Sequence, residues 1–302
     1  MNTDDGYITQ FCLEFQTNPD LTVIEKQIKL KKLELIHNRI EDLTSLNFIE
    51  NLTKLEILYI AYNDIENIDF LKNLTKLRKL NISGNKIVDL KPLENLTGLK
   101  ILKIFVNRIV NLDPLKNLTE LEELESSNNQ IENISILSNL TKLKKLNLSS
   151  NKIVDISPLA NLKYLEIIYM YQNQIEDISA FTELYNLVFL SLSNNKIQYL
   201  PPLNRLTKLE EFYLDENYIT KINQLPLSLK YFSFHFNDIT NFHLTESSKL
   251  IIDKIMPFIK KQSPIGFFNN NYLYKEIIDQ LPEDFQIEFY KYNQSKIKSA
   301  KI

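Results

Sequence analysis

The chain has 302 residues, 44% of them hydrophobic, and a formal net charge of -3 at pH 7. Length alone would allow two domains, whereas the charge excludes the basic surface that nonspecific binding to nucleic acid requires. A single cysteine excludes an internal disulfide framework. Charged or amide residues interrupt every apolar run before the roughly 20 residues needed to span a membrane.

Residues 1–29 do not follow the pattern of the rest of the chain and are predicted to form an N-terminal cap. The spacing of the apolar residues predicts a helical cap with Cys12 in its core; these residues are Tyr7, Ile8, Phe11, Cys12 and Phe15. The N-terminus carries no positive region followed by an apolar run, the pattern of an export signal. We therefore expect a cytoplasmic protein, with a nuclear or secreted location left open.

Residues 30–244 are predicted to form a repeat array. The sequence LRKLNISGN, which ends at Asn85, returns as LKKLNLSSN ending at Asn151, and seven consecutive intervals from Asn63 to Asn217 are 22 residues long. The asparagines that end the phrase are Asn38, Asn63, Asn85, Asn107, Asn129, Asn151, Asn173, Asn195, Asn217 and Asn237. This period and an L-x-x-L-x-L-x-x-N core resemble the leucine-rich-repeat family.

The residue types of each phrase predict one short strand followed by a structural asparagine. Alternating residues such as Leu80 and Ile82 would face the core, and the asparagine that follows can donate to and accept from the main chain. Because an orphaned buried polar group costs roughly 1 to 3 kcal/mol, we expect the asparagines to form a stabilising ladder. Ser126 stands where other repeats carry Leu or Ile, which could loosen the middle of the array.

The second half of each repeat is too short for a long helix. Pro114 and Pro158 follow Asp or Ser, a position that suits the first turn of a short helix. The resemblance implies an α/β solenoid, a right-handed curved array of about ten repeats with a parallel β-sheet on its concave face. Short helical or 3-10 turns would form its convex face. Residues 245–302 are predicted to form a C-terminal helical cap or tail.

The outward-facing strand positions should carry the function, and their aromatic residues fall in two groups. One group, near the front of the array, contains Tyr59 and Tyr62. The second group, towards the rear, is our predicted partner-binding site and comprises Tyr169, Tyr171, Phe189, Glu211, Tyr213, Asp215, Tyr231, His235 and Phe236. Exposed aromatic residues dominate interface hot spots, although aromatic residues also favour strands for structural reasons alone. The acidic residues predict a partner with a basic rim and an apolar groove.

Catalytic and cofactor-binding patterns are absent from the sequence. His37 and His235 lie at opposite ends of the array, which excludes a shared metal site between them. The four glycines are scattered singly and cannot build a phosphate-binding loop. We therefore expect a protein that is not an enzyme, holds no metal or cofactor, binds neither nucleic acid nor membrane, and is a monomer.

Two families share details of the repeat. Residues 63–77 resemble the repeats of the nuclear regulatory subunit of protein phosphatase 1, and residues 153–162 resemble those of bacterial internalins. Both resemblances imply protein binding through the concave face. The first also implies an acidic and aromatic concave surface, matched here by Glu123, Glu125, Phe189, Glu211, Tyr213 and Asp215.

The leading functional hypothesis is an interaction scaffold or adaptor that binds a partner protein through the concave face. One alternative is a regulatory subunit of a protein phosphatase. The other is a secreted or surface effector that binds a host protein, as the internalin resemblance implies. The repeat motif encodes the scaffold that these hypotheses share, so the partner is left open.

Overall fold

A computed structural model describes residues 2–4, 7–16, 21–38, 40, 43–222, 224–234, 236–238 and 241–242. The predicted C-terminal helical region, 245–302, and the predicted site residue His235 lie outside the described residues. The chain divides into two compact units, Met1–Ile175 and Glu176–Ile302, which we describe in turn.

The first unit contains a sheet whose strands follow one another in sequence order. All of its strands run parallel except the first, which is antiparallel to the second. The strands are β1 (Asn2–Asp4), β2 (Tyr7–Glu14), β3 (Lys32–Ile36), β4 (Ile57–Tyr59), β5 (Lys79–Asn81), β6 (Ile101–Lys103), β7 (Glu123–Glu125), β8 (Lys145–Asn147) and β9 (Ile167–Tyr169).

Short turns connect these strands. A four-residue helix, α1 (Thr22–Glu25), precedes β3, and every later connection contains a 3-10 segment. These segments are Leu43–Asn51, Asp69–Leu71, Lys91–Leu93, Asp113–Leu115, Ser135–Asn139 and Ser157–Leu159. Proline occupies the first turn of three of them, where its missing N–H leaves no bond unmade. The predicted α/β solenoid with short 3-10 turns is confirmed.

The second unit repeats the same architecture on a smaller scale. Strands β10 (Phe189–Ser191), β11 (Glu211–Tyr213) and β13 (Tyr231–Ser233) pair in parallel, and a 3-10 segment, Ser179–Phe181, precedes β10. A separate parallel pair consists of β12 (Lys221–Ile222) and β14 (Asn241–Phe242).

The core of each repeat consists of leucine and isoleucine at the alternating positions of the strand and of the following turn. In one repeat, Leu77, Leu80, Ile82, Leu90 and Leu93 are at most 1% exposed. Burial of each such side chain stabilises the fold by roughly 1.5 to 3 kcal/mol relative to exposure. The strand residues on either side of each core leucine are half-buried or exposed and face outward, so the core fixes which side chains remain available to a partner.

The N-terminal segment differs from our prediction, because residues 7–14 form a strand instead of a helix. Pairing with β3 aligns Phe11 with buried Leu33 and places Phe11 in the core. The same register aligns Cys12 with the outward Glu34, so Cys12 is exposed and the prediction of a core cysteine was wrong. The apolar residues of this segment fit the spacing of a strand as well as that of a helix. The segment forms a strand because it can pair with the edge of β3.

The asparagines connect each repeat to the one before it. Asn151 Nδ2 donates to the carbonyls of Ser126, Leu148 and Ser149 at 3.1, 3.0 and 3.3 Å, and its Oδ1 accepts the Ile131 N–H at 3.0 Å. Side chains that donate to a carbonyl of the preceding repeat include those of Asn38, Asn63, Asn85, Asn107, Asn129, Asn151, Asn173, Asn217 and Asn237. Asn195 Nδ2 bonds to the carbonyls of Leu192 and Ser193 in its own repeat.

Candidate protein-binding surface

The outward side chains of the strands form what we call the strand face of each unit. Strand register aligns these side chains in columns. In the first unit, one column contains Glu34, Tyr59, Asn81, Lys103, Glu125, Asn147 and Tyr169. In the second unit, the equivalent column contains Ser191, Tyr213 and Ser233. Because the scaffold repeats, differences in chemistry along a column distinguish one part of the face from another.

The predicted binding residues are divided between the two units. Tyr169 and Tyr171 belong to the first unit, where both are half-buried. The remaining described residues belong to the second unit; they are Phe189, Glu211, Tyr213, Asp215, Tyr231 and Phe236. Phe236 is exposed, and His235 is not described.

Three aromatic rings of the second unit pack side by side on its strand face, and we call Phe189, Tyr213 and Tyr231 the second-unit cluster. The centroids of Phe189 and Tyr213 are 5.5 Å apart, and those of Tyr213 and Tyr231 are 5.3 Å apart, with tilted planes. All three side chains are half-buried. The rings are therefore ordered before any partner arrives, which limits the entropy lost on binding.

Acidic side chains surround the second-unit cluster. The Tyr213 hydroxyl donates to Glu211 Oε2 at 2.9 Å, and burial together with this hydrogen bond raises the pKa of the Tyr213 phenol well above its usual value. Asp215 accepts hydrogen bonds from Ser233 and Ser193, and Glu216 accepts one from Asn194. None of the described lysines or arginines forms an ion pair with Glu211 or Glu216. The surface is thus aromatic with an acidic margin.

The centre of the first unit's strand face has a different chemistry. Lys103, Glu123, Glu125 and Lys145 form what we call the ion cluster, in which each lysine contacts both glutamates. Burial tends to raise the pKa of Glu125, but hydrogen bonds and charge from Lys145 and Lys103 outweigh it and hold the pKa below its usual value. The expectation that Glu123 and Glu125 make this surface acidic was wrong, because both are neutralised by lysines one strand away.

Sequence reasoning missed a second aromatic feature, which we call the aromatic stack: Phe15, His37 and Tyr62. Ring centroids are 5.1 Å apart for Phe15 and His37 and 4.4 Å apart for His37 and Tyr62, with planes within 8° and 4° of parallel. Phe105 packs edge-to-face against Tyr62. On the side away from His37, the Tyr62 ring lies over Gly84, where an added Cβ would come within 2.4 Å of it.

The backbone positions that carry the aromatic stack explain why it was missed. Phe15, His37 and Tyr62 have φ angles of 58°, 58° and 55°, in the left-handed region that bulky side chains rarely adopt. His37 and Tyr62 each precede the asparagine of a repeat, and Phe15 is the equivalent residue of the cap. The signal available in the sequence was therefore the identity of the residue that directly precedes each asparagine. These residues lie outside the alternating positions of the strand.

Two other features, a metal site and a membrane-spanning helix, are absent from the described part of the chain. No group of three or more His, Cys, Asp or Glu side chains is arranged to hold a metal ion among those residues. Likewise, none of the helices described there is both long and apolar enough to cross a membrane.

Comparison with known proteins identifies the family. The model described as leucine-rich repeats in two copies matches more than half of the chain, over residues 53–95, 75–117, 119–161, 141–183 and 185–227. The chain belongs to the leucine-rich-repeat family. Proteins of this kind generally serve as interaction scaffolds. We find no match among curated proteins.

Solved leucine-rich-repeat structures are similar to this one. An internalin (inlF) of Listeria monocytogenes is 28% identical, with a TM-score of 0.58, over 82% of this chain and 85% of that one. Internalin C2 of the same species is 36% identical, with a TM-score of 0.55, over 56% and 74%. A leucine-rich-repeat protein of Leptospira interrogans, at 22% identity and a TM-score of 0.55 over 82% and 76%, shares the fold alone. These comparisons do not show the resemblance to the phosphatase subunit.

Proposed function

We propose that this leucine-rich-repeat chain is a monomeric, non-catalytic adaptor that binds a partner protein through its strand face. In the second unit, the proposed binding residues are those of the second-unit cluster with Glu211, Asp215, His235 and Phe236. In the first unit, they are Tyr169 and Tyr171. The observation that supports it is the side-by-side packing of the Phe189, Tyr213 and Tyr231 rings beside carboxylates. Large, rigid aromatic side chains contribute most to binding energy at protein interfaces.

The chemistry of this surface defines the partner. An apolar groove would accommodate the rings, while lysines or arginines on its rim would pair with Glu211 and Glu216, which no described cation neutralises. Tyrosine is neutral at pH 7, and burial and Glu211 raise the pKa of the Tyr213 phenol further, so its ring carries no charge that a partner would have to desolvate. Nucleic acid and membrane surfaces, which are anionic, do not complement this site.

Alanine substitution of Tyr169, Tyr213 and Tyr231 tests the proposal. We expect the triple variant to lose capture of the partner that the wild-type chain retains, because three interface rings are removed together. Its thermal midpoint should change little, since all three side chains face outward. Quantitative mass spectrometry of affinity-purified complexes measures the first quantity and circular dichroism the second.

Tyr164 and Tyr199 provide a matched control, because both are exposed tyrosines outside the strand face. The variant in which both are alanine should capture the same partner as the wild type. A second pair of variants, Tyr213→Ala with Tyr231→Ala and Tyr169→Ala alone, separates the contributions of the two units. Full retention of capture by the triple variant would place the site elsewhere. Recovery of a phosphatase catalytic subunit would favour the regulatory-subunit alternative.

The similarity to internalins favours a second candidate, a secreted or surface protein that binds a host protein. Identities of 28% and 36% to two internalins support this candidate. The leading proposal instead places the adaptor in the cytoplasm. Fractionation of cells that make the protein, followed by detection with an antibody, separates the two. Detection in the cytosolic fraction alone would contradict the secreted candidate, and detection in the medium or at the cell surface would contradict the adaptor.

A further inference from the structure

Each ring of the aromatic stack is supplied by the next strand of the first unit's sheet. Phe15 follows β2, His37 follows β3, and Tyr62 comes shortly after β4. The centroid separations of 5.1 and 4.4 Å are close to the spacing of neighbouring strands, about 4.8 Å. The stack therefore gains one ring for each parallel strand. At the β2 end it terminates in Phe15, whose side chain is 74% exposed.

The main chain beside these rings forms a regular ladder. The N–H of Phe15 donates to the Ile36 carbonyl at 3.2 Å, and the N–H of His37 donates to the Ala61 carbonyl at 3.1 Å. In both cases, the acceptor carbonyl belongs to the residue that directly precedes the aromatic residue of the next strand. In β2 that residue is Glu14. Its carbonyl occupies the acceptor position for a further strand on the outer side of β2.

Strand β1 does not occupy this position. It pairs with β2 through Asn2 and Gln10, Thr3 and Ile8, and Asp4 and Tyr7. Among the described residues, no strand pairs with the outer side of β2 from Phe11 to Glu14. Such an open edge is a template to which an extended segment can add by main-chain hydrogen bonds.

We propose that the open edge of β2, from Phe11 to Glu14, binds an extended segment of a partner protein as an added parallel strand. The segment ends in a basic residue followed directly by an aromatic residue. In this register the aromatic side chain lies on the exposed face of Phe15, and the basic side chain lies beside Glu14.

Charge and register support this choice of occupant. Glu14 is exposed, and none of the described lysines or arginines forms an ion pair with it. In β3, Ile36 precedes His37 and aligns with Glu14. In the same register, the residue that precedes the aromatic residue of the partner segment also aligns with Glu14. The site lies on a different part of the molecule from the second-unit cluster, so it does not depend on the proposed function.

Synthetic peptides test the proposal with the full-length chain. The probe is a fluorescent, acetylated five-residue peptide in which threonine, valine and threonine precede lysine and tyrosine, so that it spans only the open edge up to Phe15. We expect it to bind, and a peptide with the last two residues exchanged to bind roughly tenfold more weakly, because its ring no longer meets Phe15. Methylation of the tyrosine amide, which removes the donor to the Glu14 carbonyl, should also weaken binding roughly tenfold.

Substitutions in the chain separate stacking from charge. Phe15→Ala should weaken binding of the lysine–tyrosine peptide, whereas Phe15→Tyr should preserve it. Glu14→Lys should abolish binding of that peptide and allow binding of one that ends in glutamate and tyrosine. Tyr213→Ala is the control and should bind like the wild type, which distinguishes this site from the proposed function.

Three results would overturn the proposal. They are absence of binding by the wild-type chain at millimolar peptide, binding of the exchanged and methylated peptides as tight as that of the lysine–tyrosine peptide, and no effect of Phe15→Ala. A dimer that forms with increasing concentration and is lost in Phe15→Ala would show that a second copy of this chain occupies the edge instead. Analytical ultracentrifugation detects that dimer.

Discussion

The ion cluster of the first unit and the second-unit cluster occupy equivalent outward positions on repeats of the same kind. In the ion cluster, lysines and glutamates of neighbouring strands neutralise one another. In the second-unit cluster, rings pack together and Glu211 accepts a hydrogen bond from Tyr213 without an ion pair to any described cation. A charged column of a repeat protein is therefore not in itself a binding surface. What matters is whether its charges are satisfied within the fold.

The asparagines that support both regions give the largest expected effect. Asn151 in the first unit and Asn217 in the second make the same set of main-chain hydrogen bonds. Asn151→Leu or Asn217→Leu should reduce stability by roughly 3 kcal/mol, because the N–H of Ile131 or Ile197 loses its acceptor and three carbonyls each lose one of their two donors. Thermal unfolding followed by circular dichroism measures the loss.

The two variants should differ in binding. Asn217 bonds to the carbonyl of Asp215 beside the second-unit cluster, so Asn217→Leu should also reduce partner capture, and Asn151→Leu should affect stability more than capture. Asn95→Leu, on an exposed turn, is the control and should change stability by less than roughly 0.5 kcal/mol. Equal stability of Asn151→Leu and the control would contradict a structural role for the asparagines.

Removal of both lysines from the ion cluster should have the next largest effect. Lys103→Met with Lys145→Met leaves Glu123 and Glu125 without their cations, and we expect a loss of roughly 2 kcal/mol at pH 7. The first unit's face would then be acidic, like the margin of the second-unit cluster. Partner capture should nevertheless stay unchanged, because the rings are not altered. Gain of a new partner would show that the ion cluster suppresses binding.

The pH dependence of the same variant has a definite sign. Since the folded-state pKa of Glu125 is lowered, its contribution to stability is fully present above the usual pKa of 4.5 and is lost as the pH falls through the folded-state value. The wild-type thermal midpoint should therefore fall on acidification below pH 4.5. In the double variant neither lysine lowers the pKa of Glu125 while burial still raises it, so this acid-induced loss should shrink or reverse. A parallel decline in both proteins would contradict the role of the ion cluster.

Ser126, next to Glu125, should give a smaller effect of opposite sign. Its side chain is fully buried, and its hydroxyl has no hydrogen-bond partner among the described residues, whereas Ile104 and Leu148 occupy the same place in the neighbouring repeats. Ser126→Ile should raise stability by about 1 kcal/mol, because an unsatisfied polar group is replaced by apolar packing. Urea unfolding measures the gain. A loss would mean that the space beside Ser126 is too small for isoleucine.

The sequence predicted most of the fold because a fixed period determines which residues face the core. The strand containing Leu80 and the 3-10 turn at Pro114 follow from local residue types, which the tertiary structure does not override. Residues 7–14 could not be assigned in this way. Their apolar residues satisfy both the helical and the strand period, and pairing with β3 decides the outcome.

The surface was harder to predict than the core. Lys103 and Glu125 are 22 residues apart, and only strand register shows that they pair. The aromatic stack depends on left-handed backbone at Phe15, His37 and Tyr62, which the residue types disfavour. Both features arise from neighbouring repeats together, so a single repeat contains too little information to reveal them.

Glu211→Gln should give the smallest effect, and it tests how the acidic margin acts on the second-unit cluster. Burial raises the pKa of the Tyr213 phenol, and the hydrogen bond and negative charge of Glu211 raise it further. Glutamine can still accept the hydrogen bond but carries no charge, so we expect Tyr213 to ionise at lower pH without a change in thermal midpoint. Nuclear magnetic resonance of tyrosine labelled with carbon-13 follows this titration, and Tyr213→Phe assigns the signal. An unchanged titration would mean that the charge of Glu211 does not contribute to the raised pKa of Tyr213. Capture of the partner would then depend on Glu211 only through direct pairing with the partner's cations.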